Sequence, residues 1–372
     1  MKIFFPLEVF YPSQAGGPAN SIYWLTKNLA RRGFEPIVVS TGKGIREPFV
    51  FDRWRESEAG RVIYVKTRTS LFPFRQILHS LANFYRADVV QLSSVFYPAA
   101  FATGFAARLC GVKIVWSTRG ELSPKALEFS RLRKKPVLWA IKKLIGGYPV
   151  YHATCDEEAG FIRDIFGPGA NVVLIPNYIE LPPLMPRRPA RYLLHIGRLH
   201  PKKAIDNLFR ALAISKRFRD SGLVLKLAGT GDPPEYRGEL ERLSEHLYLK
   251  EKVEFLGQIE GESKQQLLAD AFWTLMPSHT ENFGVVVLES LAQNTPVIAA
   301  HGSPWSILER DKVGFWIDNS PANLAAKIDE IIDQPDEDYL NYRARARQFV
   351  EREFDISQNL DRWINLYQSL IK

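Results

Sequence analysis

The chain is poor in cysteine and lacks any long apolar run. Its 372 residues include only Cys110 and Cys155, which excludes a disulfide framework and favours a reducing compartment. Neither cysteine stands at a metal-ligand spacing. No stretch approaches the roughly 18 apolar residues that a membrane-spanning helix requires. These absences predict a cytoplasmic protein whose closest association with a membrane is peripheral contact at its inner face.

Basic residues outnumber acidic ones. The 49 Lys and Arg against 41 Asp and Glu give a formal net charge of +8. This balance favours phosphate-bearing or acidic partners, or an anionic membrane surface, without choosing among them. Nucleic acid is not expected, because the basic residues do not interleave with aromatics as they do in RNA- and DNA-binding modules.

Strand-like and helix-like segments alternate through both halves of the chain, which predicts βαβ units and parallel sheets. Five prolines between Pro176 and Pro189 interrupt the alternation and suit a domain linker. We therefore predict an α/β fold of two Rossmann-like, doubly wound domains. They span residues 1–182 and 183–352, and a C-terminal helix over 353–372, continuous from Phe354 to Ile371, crosses back to the first domain.

Glycine follows four predicted strands of the second domain. These glycines are Gly197, Gly229, Gly257 and, at the end of a longer loop from Pro277, Gly284. Doubly wound sheets bind ligands beyond the carboxyl ends of their strands. Glycines there, together with an arginine, a lysine and a glutamate, indicate a phosphate-containing ligand.

Arg198 and Lys203 lie five residues apart at a predicted strand-to-helix junction. A guanidinium fork and a flexible ammonium supply the cations that a pyrophosphate needs, without a metal. An exposed loop with solvated charges explains the same two residues equally well.

Glu281 and Glu289 bracket the start of a helix predicted near Gly284, whose free amides would face a ligand. Carboxylates suit vicinal hydroxyls, since each oxygen accepts a hydrogen bond. A glutamate pair at this spacing is common by chance. Its position after a strand end is what makes it informative.

In order along the chain, residues 193–305 resemble the donor domain of family 4 glycosyltransferases, whose fold is GT-B. The matching segments are LLHIGRLHPKKAIDNL, LKLAGTGD, VEFLGQIEG, LMPSHTENFGVVVLESLAQNTPVIA and GSPW. The first domain matches more loosely, through AGGPA (15–19), STRGELSP (117–124), ATCDEEAGFIR (153–163) and IPNYIE (175–180).

The resemblance implies a donor site in the cleft between the two domains and a retaining, metal-independent transfer. A hexose would pass from a nucleotide diphosphate sugar, UDP-linked by preference and GDP-linked as second choice, to a glycan or lipid-linked acceptor in polysaccharide biosynthesis. The resemblance implies no cofactor and no metal site.

The resemblance also assigns roles to single residues. Arg198 and Lys203 would hold the donor diphosphate, Glu289 the ribose, and Glu281 the transferred sugar. The donor-binding residues would be Gly16, Gly17, Gly229, Ile259, Asn282, Phe283, Gly284, Val285 and Glu289.

The chain departs from the family pattern at two positions. Arg119 stands where many members carry a histidine that touches the sugar and phosphate. An arginine can stabilise phosphate charge but cannot give up its proton. We keep it among the catalytic candidates, with Glu281, Arg198 and Lys203. A milder change places Ala204 where glycine is usual.

Two further features are interpreted as structural. Asp336-Glu337-Asp338, the only Asp-X-Asp sequence, fits a solvated turn better than a metal site, and His195 fits a hydrogen-bonded core histidine. Two alternative functions stay open. One is a nucleotide-sugar epimerase, and the other is an inactive nucleotide-sugar-binding subunit.

No acidic residue occurs from Phe129 to Cys155, whereas six lysines and arginines do. This pattern predicts a basic amphipathic helix that either rests on an anionic bilayer or packs its apolar stripe in the domain core. The segment Leu71–Tyr85, rich in Phe and Leu, either adds to a lipid-facing surface or packs in the same way.

Overall fold

A computed structural model describes residues 1–13, 17–45, 48–67, 69, 72–128, 131–188 and 190–371. The chain forms two compact units, one of Met1–Glu180 with Ile356–Lys372 and one of Leu181–Asp355. The sequence-based boundaries of 182/183 and 352/353 lie two or three residues from these. Gly16 and Leu71, which the sequence analysis singled out, lie outside the described residues.

The first unit is built on an eight-stranded sheet. Its strands are parallel except for the antiparallel pair β3–β4, and their order is β3-β4-β2-β1-β5-β6-β7-β8. They are β1 (Lys2–Leu7), β2 (Glu35–Thr41), β3 (Trp54–Ser57), β4 (Gly60–Val65), β5 (Val89–Ser93), β6 (Lys113–Ser117), β7 (Val150–Ala153) and β8 (Val172–Leu174). The helices are α1 (Gly17–Arg31), α2 (Phe74–Leu81), α3 (Pro98–Leu109), α4 (Pro124–Glu128), α5 (Arg131–Leu144) and α6 (Asp156–Phe166).

The second unit contains a six-stranded, all-parallel sheet with the order β11-β10-β9-β12-β13-β14. Its strands are β9 (Tyr192–Ile196), β10 (Val224–Ala228), β11 (Val253–Gly257), β12 (Trp273–Met276), β13 (Val297–Ala300) and β14 (Gly314–Ile317). Its helices are α7 (Ile205–Ile214), α8 (Lys216–Asp220), α9 (Glu235–His246), α10 (Gly261–Asp270), α11 (Val285–Ala292), α12 (Ile307–Arg310), α13 (Pro321–Asp333) and α14 (Asp336–Phe354).

The central strands of both sheets are apolar on both faces. All residues of β9 and β12 are buried, as are Ile3, Phe4 and Phe5 of β1. Crossover helices cover both faces of a parallel sheet, so its inner strands do not alternate between apolar and polar residues. This burial fixes the positions of the strand ends and of the loops that follow them.

The expected continuous helix from Phe354 to Ile371 is wrong. The chain ends α14 at Phe354 and forms two short helices, α15 (Ile356–Asn359) and α16 (Asp361–Ser369). Asp355 is extended, with φ −70° and ψ 122°, and the amide of Ile356 donates to the carbonyl of Ile179 at 2.9 Å. This bond cannot form inside an α-helix, so the break lets the chain end pack within the first unit.

A buried polar chain holds α16 in the first unit. The Tyr367 hydroxyl donates to Gln91 Oε1 at 3.0 Å, and Gln91 Nε2 donates to Ser117 Oγ at 2.9 Å. Ser117 Oγ lies 2.8 Å from His152 Nδ1, and His152 Nε2 lies 2.7 Å from the carbonyl of Ile175. Since a carbonyl only accepts, Nε2 carries a proton. Burial lowers the pKa of His152 to about 4, so the imidazole is neutral at pH 7.

None of the helices in the described part of the chain combines the length and apolar character that a membrane crossing requires.

Candidate functional site

The strand order of the second unit places its candidate site at a topological switch point. β9 and β12 are neighbours at the centre of the sheet, and the chain continues outward from them in opposite directions. The loops after these two strands therefore diverge and leave a crevice beyond the carboxyl ends. They are residues 197–204 and 277–284, which contain six of the ten candidates that the sequence analysis selected in the second unit.

Hydrogen bonds join these two loops to each other and to the loops after β13 and β14. The amide of His279 donates to the carbonyl of Lys202 at 2.8 Å, and Asn319 Nδ2 donates to the carbonyl of Pro277 at 2.7 Å. The amide of Glu281 donates to the carbonyl of Gly302 at 2.7 Å. The loops after β9, β12, β13 and β14 thus form one connected edge, on which the side chains have defined positions.

Lys203 and Glu281 form an ion pair at this edge. Lys203 ends a short 3-10 helix, Pro201–Lys203, and its Nζ contacts Glu281 Oε1, which also accepts from Ser278 Oγ at 2.9 Å. The two side chains are only 21% and 14% exposed, so water screens the pair weakly. A diphosphate reaching Lys203 therefore has to share the ammonium with Glu281.

Arg198 follows β9 and pairs with a residue that the sequence analysis did not select. Its Nη1 contacts Asp232 Oδ2, in the loop after β10, and both side chains are largely exposed. An exposed pair of this kind contributes little to stability. The guanidinium is consequently available to an anion that displaces or shares Asp232.

Glu289 lies in α11 and pairs with Lys264 of α10. Lys264 Nζ is 2.7 Å from the carboxylate, and the side chains are 22% and 12% exposed. Sequence reasoning missed Lys264, since its position 25 residues earlier on another helix gave no signal. The ion pair holds the Glu289 carboxylate in place.

The N-terminus of α11 has no side-chain cap. Gly284 precedes it with φ 77°, and a β-carbon there would lie 2.7 Å from Met276 Sδ, so only glycine fits without strain. Val285, the first helical residue, and Asn282 are half-buried. The first amides of the helix are therefore oriented as anion donors.

Phe283 contributes its backbone rather than its ring to this edge. The ring is buried between Trp305 and Phe354, with centroid distances of 5.0 and 6.1 Å, and its carbonyl accepts from Trp305 Nε1. Its side chain anchors the loop in the core of the second unit.

Gly229 and Ile259 follow β10 and β11. Gly229 has φ 154°, and a β-carbon would lie 1.8 Å from the carbonyl oxygen of Gly197, so the two strand ends meet only because this residue is glycine. Ile259 is partly buried and packs, with Val286, against a cluster that includes Ile196 and Ala228.

His195 is buried in β9, and its imidazole is only half satisfied. Nδ1 lies 3.0 Å from the carbonyl of Leu275 and so carries the proton, whereas Nε2 has no hydrogen-bond partner within the described residues. Burial, and then the positive charge of Lys203, lowers the pKa of His195 to about 4. The expectation of a fully hydrogen-bonded histidine is wrong for Nε2.

Arg119 and Gly17 belong to the first unit. Arg119 has φ 55°, and its Nε and Nη1 donate to Ser93 Oγ at 3.2 Å and Asn177 Oδ1 at 2.9 Å. Both acceptors are neutral groups. Burial lowers the pKa of the Arg119 guanidinium. Gly17 is exposed at the first position of α1.

Asp336, Glu337 and Asp338 are exposed, as the sequence suggested, but they form the first turn of the helix α14 instead of a loop turn. Acidic residues there favour the helix, because they face the positive end of its dipole. Over the part of the chain that the structure describes, no group of three or more His, Cys, Asp or Glu side chains could hold a metal ion.

Two family descriptions together match almost the whole chain. "Glycosyl transferases group 1" matches residues 185–349, and "Glycosyltransferase Family 4" matches residues 15–181. The chain belongs to glycosyltransferase family 4. The resemblance stated from the sequence is confirmed.

Curated relatives match this family 4 chain over part of their length. A glycogen synthase of Mycobacterium tuberculosis is 30% identical over 202 residues, which are 52% of this chain and 48% of the relative. A D-inositol 3-phosphate glycosyltransferase of Thermomonospora curvata is 36% identical over 159 residues, 40% of this chain and 36% of the relative. The chain thus matches about a third to a half of the length of such relatives.

Solved structures show the same fold over the full chain. Alr3699/HepE of Anabaena, in complex with UDP and glucose, has a TM-score of 0.78 at 19% identity and covers 99% of this chain and 100% of its own. The sucrose-phosphate synthase of Thermosynechococcus elongatus has a TM-score of 0.78 at 18% identity, with coverages of 100% and 99%. The prediction of two Rossmann-like domains with the GT-B fold is confirmed.

Proposed function

We propose that the chain transfers a hexose from a nucleotide diphosphate sugar to a glycan or lipid-linked acceptor. The transfer retains the anomeric configuration and uses no divalent metal. In this proposal a UDP-sugar is the preferred donor, a GDP-sugar is the second choice, and the reaction belongs to polysaccharide biosynthesis.

The observation that carries the proposal is the charge arrangement at the switch point of the second unit. Lys203, Glu281 and the uncapped N-terminus of α11 meet there, and Arg198 extends the positive charge along the same strand ends. A departing diphosphate develops negative charge, which cations and helix amides stabilise. A developing oxocarbenium ion is stabilised by a fixed carboxylate, the role proposed for Glu281.

Glu289 suits the ribose in this scheme. It lies four residues after the first residue of α11, about 6 Å further along the helix axis. Its carboxylate can accept hydrogen bonds from two vicinal hydroxyls while Lys264 holds it. The backbone around Gly229 and Ile259 flanks the base in the same proposal.

Metal independence rests on the same cations. Arg198, Lys203 and the helix amides supply the positive charge that a divalent ion would otherwise bring to the diphosphate. The preference for UDP takes support from the Anabaena protein of the same fold, which was solved with UDP and glucose. Arg119 and Gly17, in the first unit, remain candidates for contact with the donor phosphates.

The test is an incubation of the chain with radiolabelled UDP- and GDP-hexoses, with and without candidate acceptors, in excess EDTA. Transfer or slow hydrolysis that persists in EDTA supports the proposal, and NMR of the product reports the anomeric configuration. A changed sugar on an intact nucleotide would indicate an epimerase. Binding without turnover would indicate an inactive subunit, and activity that Mg²⁺ or Mn²⁺ restores after EDTA would exclude metal independence.

A further inference from the structure

Ten of the fourteen residues of helix α5, in the first unit, are solvent-exposed. Of its 14 residues, only Ile141 is buried. A surface helix of a globular domain usually buries a continuous apolar stripe instead. The alternative that α5 packs its apolar residues in the core therefore fails for most of them.

The apolar residues of α5 include a stripe on the face opposite Ile141. Leu132, Pro136 and Trp139 recur at spacings of four and three, which places them on one side of a helix. Leu132 is 87% exposed and Trp139 is 65% exposed. Leaving these two side chains in water is unfavourable unless a partner covers them.

Positive charge surrounds this stripe. Lys143 continues it and lies 5.2 Å from the Trp139 ring, and Lys135 and Lys142 flank it. Within the described residues, no ion pair involves these lysines, Arg131 or Arg133. No acidic residue occurs between 129 and 155 to neutralise them.

A second exposed apolar patch belongs to the same unit. Phe72, Phe74 and Leu78 are each about two-thirds exposed, and the Phe72 and Phe74 rings stack with centroids 6.1 Å apart. α3 contacts the helices that carry both patches, because it packs against α2 and its Arg108 donates to the carbonyl of Leu144 in α5. Nine of the seventeen large apolar side chains exposed in the described residues fall between residues 72 and 144.

We infer that α5, with the Phe72–Leu78 segment, is a surface that docks on an anionic lipid bilayer. The indole and leucine tips enter the boundary between headgroups and acyl chains, and the lysines and arginines bind the acidic headgroups. An acidic protein partner would satisfy the charge but would not need large apolar side chains on two separate helices. Bilayer docking stands independently of the proposed transfer activity.

The experiment is sedimentation of the full chain with two kinds of vesicle, phosphatidylcholine alone and phosphatidylcholine mixed with phosphatidylglycerol. We expect binding to the mixed vesicles only, and weaker binding at high ionic strength. The triple variant Lys135→Glu, Lys142→Glu, Lys143→Glu should lower the partition coefficient at least about a hundredfold, since each basic residue near an anionic surface contributes about fivefold.

A matched variant separates this surface from net charge. This variant reverses the charge of three exposed basic residues in the second unit, with the substitutions Arg210→Glu, Lys216→Glu and Arg219→Glu. Its net charge changes by the same amount as that of the first triple variant. It should retain most of the binding. Equal loss in both triple variants, or equal binding to neutral vesicles, would overturn the inference.

Tryptophan emission tests the apolar contact directly. The structure describes all eight tryptophans, and among them only Trp139 is largely exposed to solvent. Vesicles should shift its emission to the blue, and Trp139→Phe should abolish the shift while binding persists. Trp139→Ala should weaken binding about tenfold, whereas Tyr248→Ala, at a site 95% exposed in the second unit, should not.

Binding without any emission shift would show adsorption by charge alone and would refute docking by this face. Retention on an acidic polymer such as heparin without binding to mixed vesicles would also refute it. All substituted side chains are exposed, so thermal unfolding should show the same midpoint in every variant.

Discussion

At the scale of single residues, the site is defined by which charges already have partners. Lys203 pairs with Glu281, Glu289 with Lys264, and Arg198 with Asp232. In the proposed site, Lys203 and Arg198 share or exchange these partners with the donor, whereas Glu289 keeps Lys264 while it binds the ribose. The mutations that follow separate these two kinds of interaction.

Glu281→Gln and Glu289→Gln should have opposite signatures. Glu281→Gln removes the carboxylate that competes for Lys203, so nucleoside diphosphate affinity should stay equal or rise while transfer slows about a hundredfold. Glu289→Gln should weaken nucleoside diphosphate and intact donor alike, roughly tenfold or more, through loss of charge-assisted hydrogen bonds. Calorimetric titration and initial rates measure both quantities.

Glu251→Gln serves as the control for charge, because Glu251 is exposed on the same unit and precedes β11, at the sheet edge opposite the switch point. It should change neither affinity nor rate. If Glu281→Gln loses nucleotide affinity and Glu289→Gln keeps it, the two roles are reversed.

Lys264→Met should weaken nucleoside diphosphate binding through Glu289. Without the ammonium 2.7 Å away, the carboxylate loses its fixed position and orders the ribose less well. The affinity should fall several-fold in the wild-type background but little further in Glu289→Gln, as expected for two residues that act as one unit. Equal losses in both backgrounds would show that Lys264 acts independently. Lys216→Met, on the surface of α8, is the control.

At the scale of elements, the strand ends position the site, and Gly229 holds two of them together. Gly229→Ala places a β-carbon 1.8 Å from the Gly197 carbonyl oxygen at φ 154°, so the loop before Arg198 has to move. The free energy of unfolding should fall by about 3 kcal/mol. Gly257→Ala adds a β-carbon with no atom within 4 Å, at a residue with φ 70°. It should lower the free energy of unfolding by only about 1 kcal/mol, the cost of the left-handed backbone conformation. Urea denaturation of both variants isolates the clash, and equal midpoints would refute it.

At the scale of the whole molecule, each unit buries one neutral histidine. Burial lowers the pKa of His195 in the second unit and of His152 in the first to about 4. An unfolded histidine has a pKa near 6.5. Between about pH 4 and 6.5 the unfolded chain binds protons that the folded chain does not. The contribution of the two histidines to the free energy of unfolding is therefore complete above about pH 6.5 and is lost as the pH falls toward 4.

His195 alone should account for about 3 kcal/mol of this loss between pH 7 and 4. His195→Gln removes the titrating group, so its unfolding midpoint should fall less steeply with decreasing pH than that of the wild type. His246→Gln, at an exposed position, should keep the wild-type slope. If the unfolding midpoints of all three proteins fell equally steeply with decreasing pH, His195 would be excluded as the origin of the pH dependence.

The sequence by itself determined the architecture and most of the candidate site. Three features depend on local chemistry and were therefore predicted from the sequence alone: the alternating strand and helix patterns, the five linker prolines and the glycines at strand ends. The same holds for the positions of Arg198, Lys203, Glu281 and Glu289 next to strand ends. Their assigned roles remain predictions.

Only the tertiary structure decided the partners of those charges. Glu281 lies 78 residues from Lys203, and Lys264 lies 25 residues from Glu289; sheet order and helix packing bring them together, and local sequence does not encode this. Tertiary hydrogen bonding also broke the expected C-terminal helix at Asp355, because the Ile356 amide pairs with Ile179 across the first unit. The exposure of Leu132 and Trp139 was decided in the same way, since an amphipathic pattern alone does not say which face the fold covers.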